Sequence, residues 1–178
     1  MGVGSGHLKP EFRSLGADFA RRGLVSDEYL QAIAAAWEHD VACFDGDTVA
    51  FRDVMVWPRP AQRPRPPIWV GGNSRTAVRR AARLADGWVP WELTPEACAA
   101  AVAYARQVRA EAGRTGPFEV VGPLGVARDA APEAVVETIA RWRVAGATAF
   151  HVGIEATSAA EHLARLAWFG SRVMAQVL

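Results

Sequence analysis

The stretch Pro66-Pro67-Ile68-Trp69-Val70-Gly71-Gly72-Asn73-Ser74-Arg75 runs from a stiff entry through a short apolar segment and two glycines into a helix start. Ile68, Trp69 and Val70 are strand formers, too few for a helix, and the prolines before them oppose helical entry. Gly71 and Gly72 lack a Cβ, so they can take positive φ and let a ligand approach the backbone. Asn73 or Ser74 can cap a helix in which Ala77, Val78, Ala81 and Ala82 share one face, while Arg75, Arg79, Arg80 and Arg83 lie largely off it. The free N–H groups and positive dipole end of such a helix would meet an anion at the C-terminal end of the strand. Two readings stand side by side: a phosphate cradle and an ordinary strand-to-helix turn.

Towards the C-terminus the pattern repeats. Leu84-Ala85-Asp86-Gly87-Trp88-Val89-Pro90-Trp91 reads as a turn and a brief strand, with Asp86 fixing the turn. Thr94-Pro95-Glu96 starts a helix that Gly113 ends. Phe118 to Ala127 is a further β-run, and Pro132-Glu133 opens a helix carrying Val135, Val136, Ile139 and Trp142, terminated at Gly146. Thr148 to Ile154 is the next strand, in which His151 is expected to be a satisfied structural histidine. Ser158-Ala159-Ala160-Glu161 is a capping box, and Leu163, Leu166, Val173, Met174 and Val177 are expected to form the buried side of the last helix. Repeated strand–helix alternation from residue 68 predicts a parallel α/β sheet with ligand sites at the C-terminal strand ends.

Towards the N-terminus, residues 57–67 hold five prolines and three arginines, a stiff extended connection. Ala42 to Val56 reads as a hairpin that departs from the main sheet. Ser26-Asp27-Glu28 is expected to open a helix whose apolar positions are Leu30, Ile33, Ala34 and Trp37. Residues 8 to 25 read as a short helix and a surface loop. Gly2, Gly4 and Gly6 alternate as they would where a strand closes, so part of the fold is expected upstream of Met1.

With 178 residues, 51% hydrophobic and 22% charged, the chain is expected to form one domain over 1–178. A net charge of +1 gives no global attraction to nucleic acid or anionic lipid, although Lys9 is the only lysine among 20 basic residues. Cys43 and Cys98 lack zinc-ligand or disulfide-framework spacing, and both are expected to be buried thiols, with no metal site implied. No leader pattern or long apolar run is present, which predicts a cytoplasmic protein. Ser-His-Asp, H-E-x-x-H and Walker patterns are absent as well, which disfavours hydrolase, zinc protease and nucleotide-triphosphatase chemistry.

Gly2-Val3-Gly4-Ser5-Gly6, Glu11-Phe12, Leu15-Gly16, Phe19, Arg22, Asp27-Glu28-Tyr29 and Trp37 together resemble the central part of bacterial luciferase-like monooxygenases. The resemblance continues through Phe44-Asp45-Gly46, Phe51, the segment 58–67, Ile68 to Ser74, and Arg80-Ala81-Ala82-Arg83-Leu84-Ala85-Asp86-Gly87-Trp88. It is strongest to the branch that uses the deazaflavin coenzyme F420. The fold it implies is a partial TIM (β/α)8 barrel of about five parallel strands with helices and a small β-hairpin excursion, the first three strands lying outside this sequence. An open sheet of that kind exposes two edges, which implies a homo-oligomer or a complementing chain.

The resemblance also implies a flavin- or deazaflavin-dependent oxidoreductase, with coenzyme F420 favoured over FMN, carrying out hydride transfer or oxygenation of a small organic substrate. The alternative is a catalytically inactive barrel fragment acting as a self-associating or partner-binding module. Carried over by position, Ser5 and Gly6 lie beside the ring or ribityl chain, and Gly71, Gly72 and Asn73 lie at the coenzyme phosphate. Val70 supplies a backbone contact. His7 stands where some F420-dependent sugar-phosphate dehydrogenases have a carboxylic acid and many relatives have tryptophan; it is either a proton-transfer group or a solvent-facing loop histidine. Trp88 and Trp91 either line a flat-ring pocket or serve as core or interface aromatics. Arg75 and Arg79 either reach a phosphate or a polyglutamate tail or are simply solvated.

Overall fold

The computed structural model describes residues Met1–Val177. Strands β1 (Gly2–Val3), β4 (Trp69–Gly71), β5 (Gly87–Val89), β6 (Glu119–Val126) and β7 (Ala149–Ile154) form one five-stranded sheet in the order β1-β4-β5-β6-β7. Every pairing is parallel. Helices α3 (Arg75–Leu84), α4 (Pro95–Glu111) and α5 (Pro132–Val144) connect β4 through β7 in turn, and α6 (Ala159–Trp168) follows. The connection from β1 to β4 carries α1 (Lys9–Ser14), α2 (Arg22–Glu38) and the antiparallel hairpin β2 (Ala42–Asp45) and β3 (Ala50–Val54). Sequential parallel order with a helix between strands is the arc of a barrel. Among the described residues no strand pairs with the outer edge of β1 or of β7.

The core lies between sheet and helices. Val70, Trp88 and Val120 project from adjacent strands onto Val78, Ala81 and Ala82 of α3 and Val102 and Ala105 of α4, all of them buried. The small residues of α3 let it lie close against the strands, and removing this apolar area from water at about 25 cal/mol per Å² holds the two layers together. On the opposite face of the sheet Gly87 makes room for a ring: a Cβ there would stand 2.7 Å from the Trp69 side chain.

Several local expectations are met. Ser74 Oγ caps α3 by accepting from the Ala77 N–H at 3.1 Å, Thr94 Oγ1 caps α4 from Ala97, and Ser158 Oγ caps α6 from Glu161. Others are corrected. α2 begins at Arg22 and not at Ser26, whose hydroxyl donates back to the Arg22 carbonyl at 2.7 Å as an interior helix residue does. Val173 is buried as expected, but Leu163 and Leu166 are exposed: α6 buries none of its residues, and the buried side begins only in the π-helical segment that follows it (Phe169–Met174), at Phe169 and Val173. His151 is exposed on β7 and therefore needs no buried partner. Cys98 is buried as expected, whereas Cys43 is exposed on the hairpin.

Asp86 does more than shape a turn. Its carboxylate accepts from Arg65 at 2.5 Å and from the Ile68 N–H at 2.8 Å, and Arg114 lies 3.5 Å away. It thereby ties the proline-rich connection and the loop after α4 to the N-terminal rim of the sheet. Burial would raise the Asp86 pKa, but the Arg65 hydrogen bond, the Ile68 N–H and the two guanidinium charges outweigh it and hold the carboxyl below its ordinary value. Glu28 is lowered chiefly by the Val49 N–H, one of two hairpin amides that its carboxylate accepts at 2.6 Å. Glu161 falls to about 2 through the Thr157 hydroxyl and N–H and through Arg128.

These three carboxyls have folded pKa values below their unfolded ones, so the unfolded chain binds more protons as the solution is acidified. Their contribution is therefore complete above about pH 4.5 and is lost as pH falls through the folded values. The melting temperature is expected to be level from pH 7 to about 5 and to fall steadily below about 4.5. A melt unchanged down to pH 3 would show that these contacts do not persist in solution.

Candidate functional site

At the C-terminal end of β4 the chain turns sharply. Gly72 has φ +118, a conformation that L side chains rarely adopt, and a Cβ on it would approach the Ala77 Cβ to 3.1 Å. The Gly72 carbonyl accepts from Trp88 Nε1 at 2.7 Å. Since the C=O and N–H of a trans peptide point in opposite directions, this bond turns the Asn73 N–H away from the core. The N–H groups of Arg75 and Thr76, in the first turn of α3, make no hydrogen bond among the described residues. A row of unpaired amides at the positive end of a helix, reached past two residues without side chains, is a candidate anion cradle.

The cradle opens into a cavity of about 680 Å³. Its walls bring together Ser5, Gly6, His7, Gly71, Gly72 and Asn73, six of the positions singled out in the sequence. Gly6 is fixed there by a φ of +76 and by the Phe12 ring, which a Cβ would meet at 2.7 Å. His7 is exposed at the rim. The Asn73 carboxamide is held in place, donating to the Trp91 carbonyl and accepting the Trp91 N–H at 2.8 Å, which leaves one Nδ2–H and the backbone N–H of Asn73 as donors.

The remaining expected residues sit elsewhere. Val70 is buried against α3 and does not line the cavity. Trp88, with none of its surface exposed, belongs to the core behind the strand and acts on the site through Gly72, not as a pocket wall. Trp91 is 69% exposed, and the Asn73 clasp holds its backbone beside the cradle. Arg75 stacks 4.1 Å from the Tyr104 ring centroid, and Arg79 lines a separate cleft between α2 and α3. Among the cavity residues not anticipated from sequence are two arginines, Arg22 and Arg80. Arg22 lies 3.8 Å over the Phe19 ring and donates to the Phe19 carbonyl, while Arg80 is buried against Asp27. Only the packing of α2 on the flank of α3 buries Arg80, and no local pattern carries that.

The model of the luciferase-like monooxygenase family matches residues 1–175. The chain belongs to that family. An uncharacterised protein of Mycobacterium tuberculosis is 34% identical over 173 residues, covering 94% of this chain and 57% of that protein. An FMNH2-dependent dimethylsulfone monooxygenase from Pseudomonas putida is 34% identical over 139 residues, covering 75% of this chain and 38% of the enzyme. The luciferase-like chain thus spans little more than half, or less, of the curated relatives it matches. The coenzyme F420-dependent tetrahydromethanopterin reductase from Methanopyrus kandleri superposes with a TM-score of 0.78 at 15% identity, over 98% of this chain and 73% of that one, which establishes the shared fold. No helix among the described residues is long and apolar enough to cross a membrane.

Proposed function

We propose that this chain holds a phosphate-bearing deazaflavin or flavin coenzyme, F420 in preference to FMN, and forms the coenzyme-binding part of an oxidoreductase acting on a small organic substrate. The observation that carries this reading is the cradle itself, with Gly72 at positive φ and the unpaired amides of Arg75 and Thr76 at the start of α3, where Thr76 lines a cavity large enough for a tricyclic coenzyme. The residues present fit the group: Gly71, Gly72 and the first turn of α3 would hold the phosphate, and Ser5, Gly6 and His7 would lie along the rest of it. When bound, the coenzyme ring supplies the hydride or oxygen chemistry. The chain's own part is to fix the phosphate through backbone, to orient the ring from the end of β1, and to offer the His7 imidazole as a proton donor or acceptor at the rim. Preference for F420 rests on family resemblance, since both coenzymes offer a phosphate.

Titration with each coenzyme, read by ring fluorescence, is expected to give saturable binding, tighter for F420. Tighter FMN binding reverses the preference, and binding of neither removes the reading. Light scattering of the same samples is expected to show an assembly larger than one 19.2 kDa chain, because the outer edges of β1 and β7 offer unpaired backbone to a second copy or a complementing chain. A monodisperse particle of one chain would contradict that.

A further inference from the structure

Arg80 is 6% exposed and each of its guanidinium nitrogens has a partner. Nε pairs with the Asp27 carboxylate, Nη1 donates to Ser5 Oγ at 3.1 Å, and Nη2 donates to the Gly23 carbonyl at 2.9 Å. Space is reserved for this arrangement, since a Cβ on Gly23 would stand 3.0 Å from Nη2. One side chain thus joins α3, which carries the cradle, to the start of α2 and to the loop that follows β1. Its charge is matched by Asp27, so it adds little net field to the cavity.

A guanidinium has donors only, so at this contact Ser5 Oγ is the acceptor. The single hydroxyl proton of Ser5 must then point elsewhere, and Ser5 faces the cavity. We propose that Arg80 is a positioning residue which fixes the Ser5 hydroxyl as a hydrogen-bond donor into the cavity, aimed at an oxygen atom of the bound coenzyme. Arg80 acts through Ser5 and does not itself contact the ligand. The inference rests on the coenzyme-binding reading above, and it makes Ser5 selective for an acceptor oxygen at that point.

The test is a double-mutant cycle on Ser5→Ala and Arg80→Lys, with F420 and FMN as probes and a thermal melt of each variant. Lysine keeps the charge that Asp27 needs but cannot reach Ser5 and Gly23 together. Each single change is expected to weaken binding about tenfold, the size of one ligand hydrogen bond, and the double variant is expected to bind no more weakly than either single. Losses that multiply to about a hundredfold would overturn the proposal, because Arg80 would then act independently of Ser5. Hydrogen exchange of the ligand-free protein gives a second reading. Arg80→Lys should speed exchange at the amides of residues 4–7 and leave α4 unchanged, and unaltered exchange at residues 4–7 overturns the positioning role. If the parent binds neither coenzyme, the proposed function fails, and the exchange result alone decides whether Arg80 positions Ser5.

Discussion

Gly72→Val is expected to weaken coenzyme binding by at least about a hundredfold and to lower stability by about 3 kcal/mol, a shift of roughly 6–12 °C in melting temperature for a chain of this size. Two costs add. A branched residue is forced to φ +118, and its side chain presses on Ala77, 3.1 Å from the position of the new Cβ. Relief of that strain rotates the peptide that directs the Asn73 N–H, so the cradle is lost with it. The neighbouring Gly71→Val is the informative control. The sequence suggests that Gly71 also needs glycine's dihedral freedom, but its φ is not in the left-handed region, and a Cβ there meets only the Val3 and Val89 carbonyl oxygens at 3.8 Å. Its valine variant should melt near the parent while its side chain intrudes on the cavity and weakens binding. Equal melts for the two variants, measured with binding on the same samples, would show that the turn imposes no strain at Gly72. Arg79→Ala, in a separate cleft, should leave binding unchanged.

Trp88→Ala should be the most destabilising single change in the core, at about 3–5 kcal/mol, enough to leave a marginal domain largely unfolded. Trp88 is fully buried, and its ring spans the contact between β5, α3 and α4. Trp88→Phe separates packing from hydrogen bonding. It keeps most of the volume but removes the donor to the part-buried Gly72 carbonyl, at a cost of about 1 kcal/mol. The phenylalanine variant should therefore fold, melt lower in urea, and bind coenzyme several-fold more weakly because the Gly72–Asn73 peptide is no longer held. A phenylalanine variant with parental affinity and stability would mean that the indole bond does nothing for the cradle.

What the sequence made legible was local. The Gly-Gly turn, the Ser74 cap and the strand–helix alternation from residue 68 depend on near neighbours in the chain, and the structure reproduces them. What it concealed was set by packing between distant segments. Trp88 looks equally suited to either face of a strand, because a parallel sheet buries both, and its side is decided by Gly72 and α3. Ser26 has the signature of a helix cap, yet the turn before it is already helical. Leu163 and Leu166 follow the period of an amphipathic helix, yet both face outward, and the buried side begins only at Phe169, where the helix becomes π-helical. Arg80 reads as a solvated arginine until α2 covers it and Asp27 and Ser5 meet it from positions more than fifty residues away.

The central claim is that the backbone at the start of α3 binds phosphate. Its most direct test is the amide spectrum of the isotopically labelled protein during titration with inorganic phosphate and then with F420. The account predicts that the Asn73, Ser74, Arg75 and Thr76 N–H resonances shift first and furthest, with Ser5 and Gly6 moving only when the whole coenzyme is added. Shifts confined to arginine side chains, or to the Arg65, Asp86 and Arg114 rim at the opposite end of the sheet, with residues 73–76 unmoved, would contradict it.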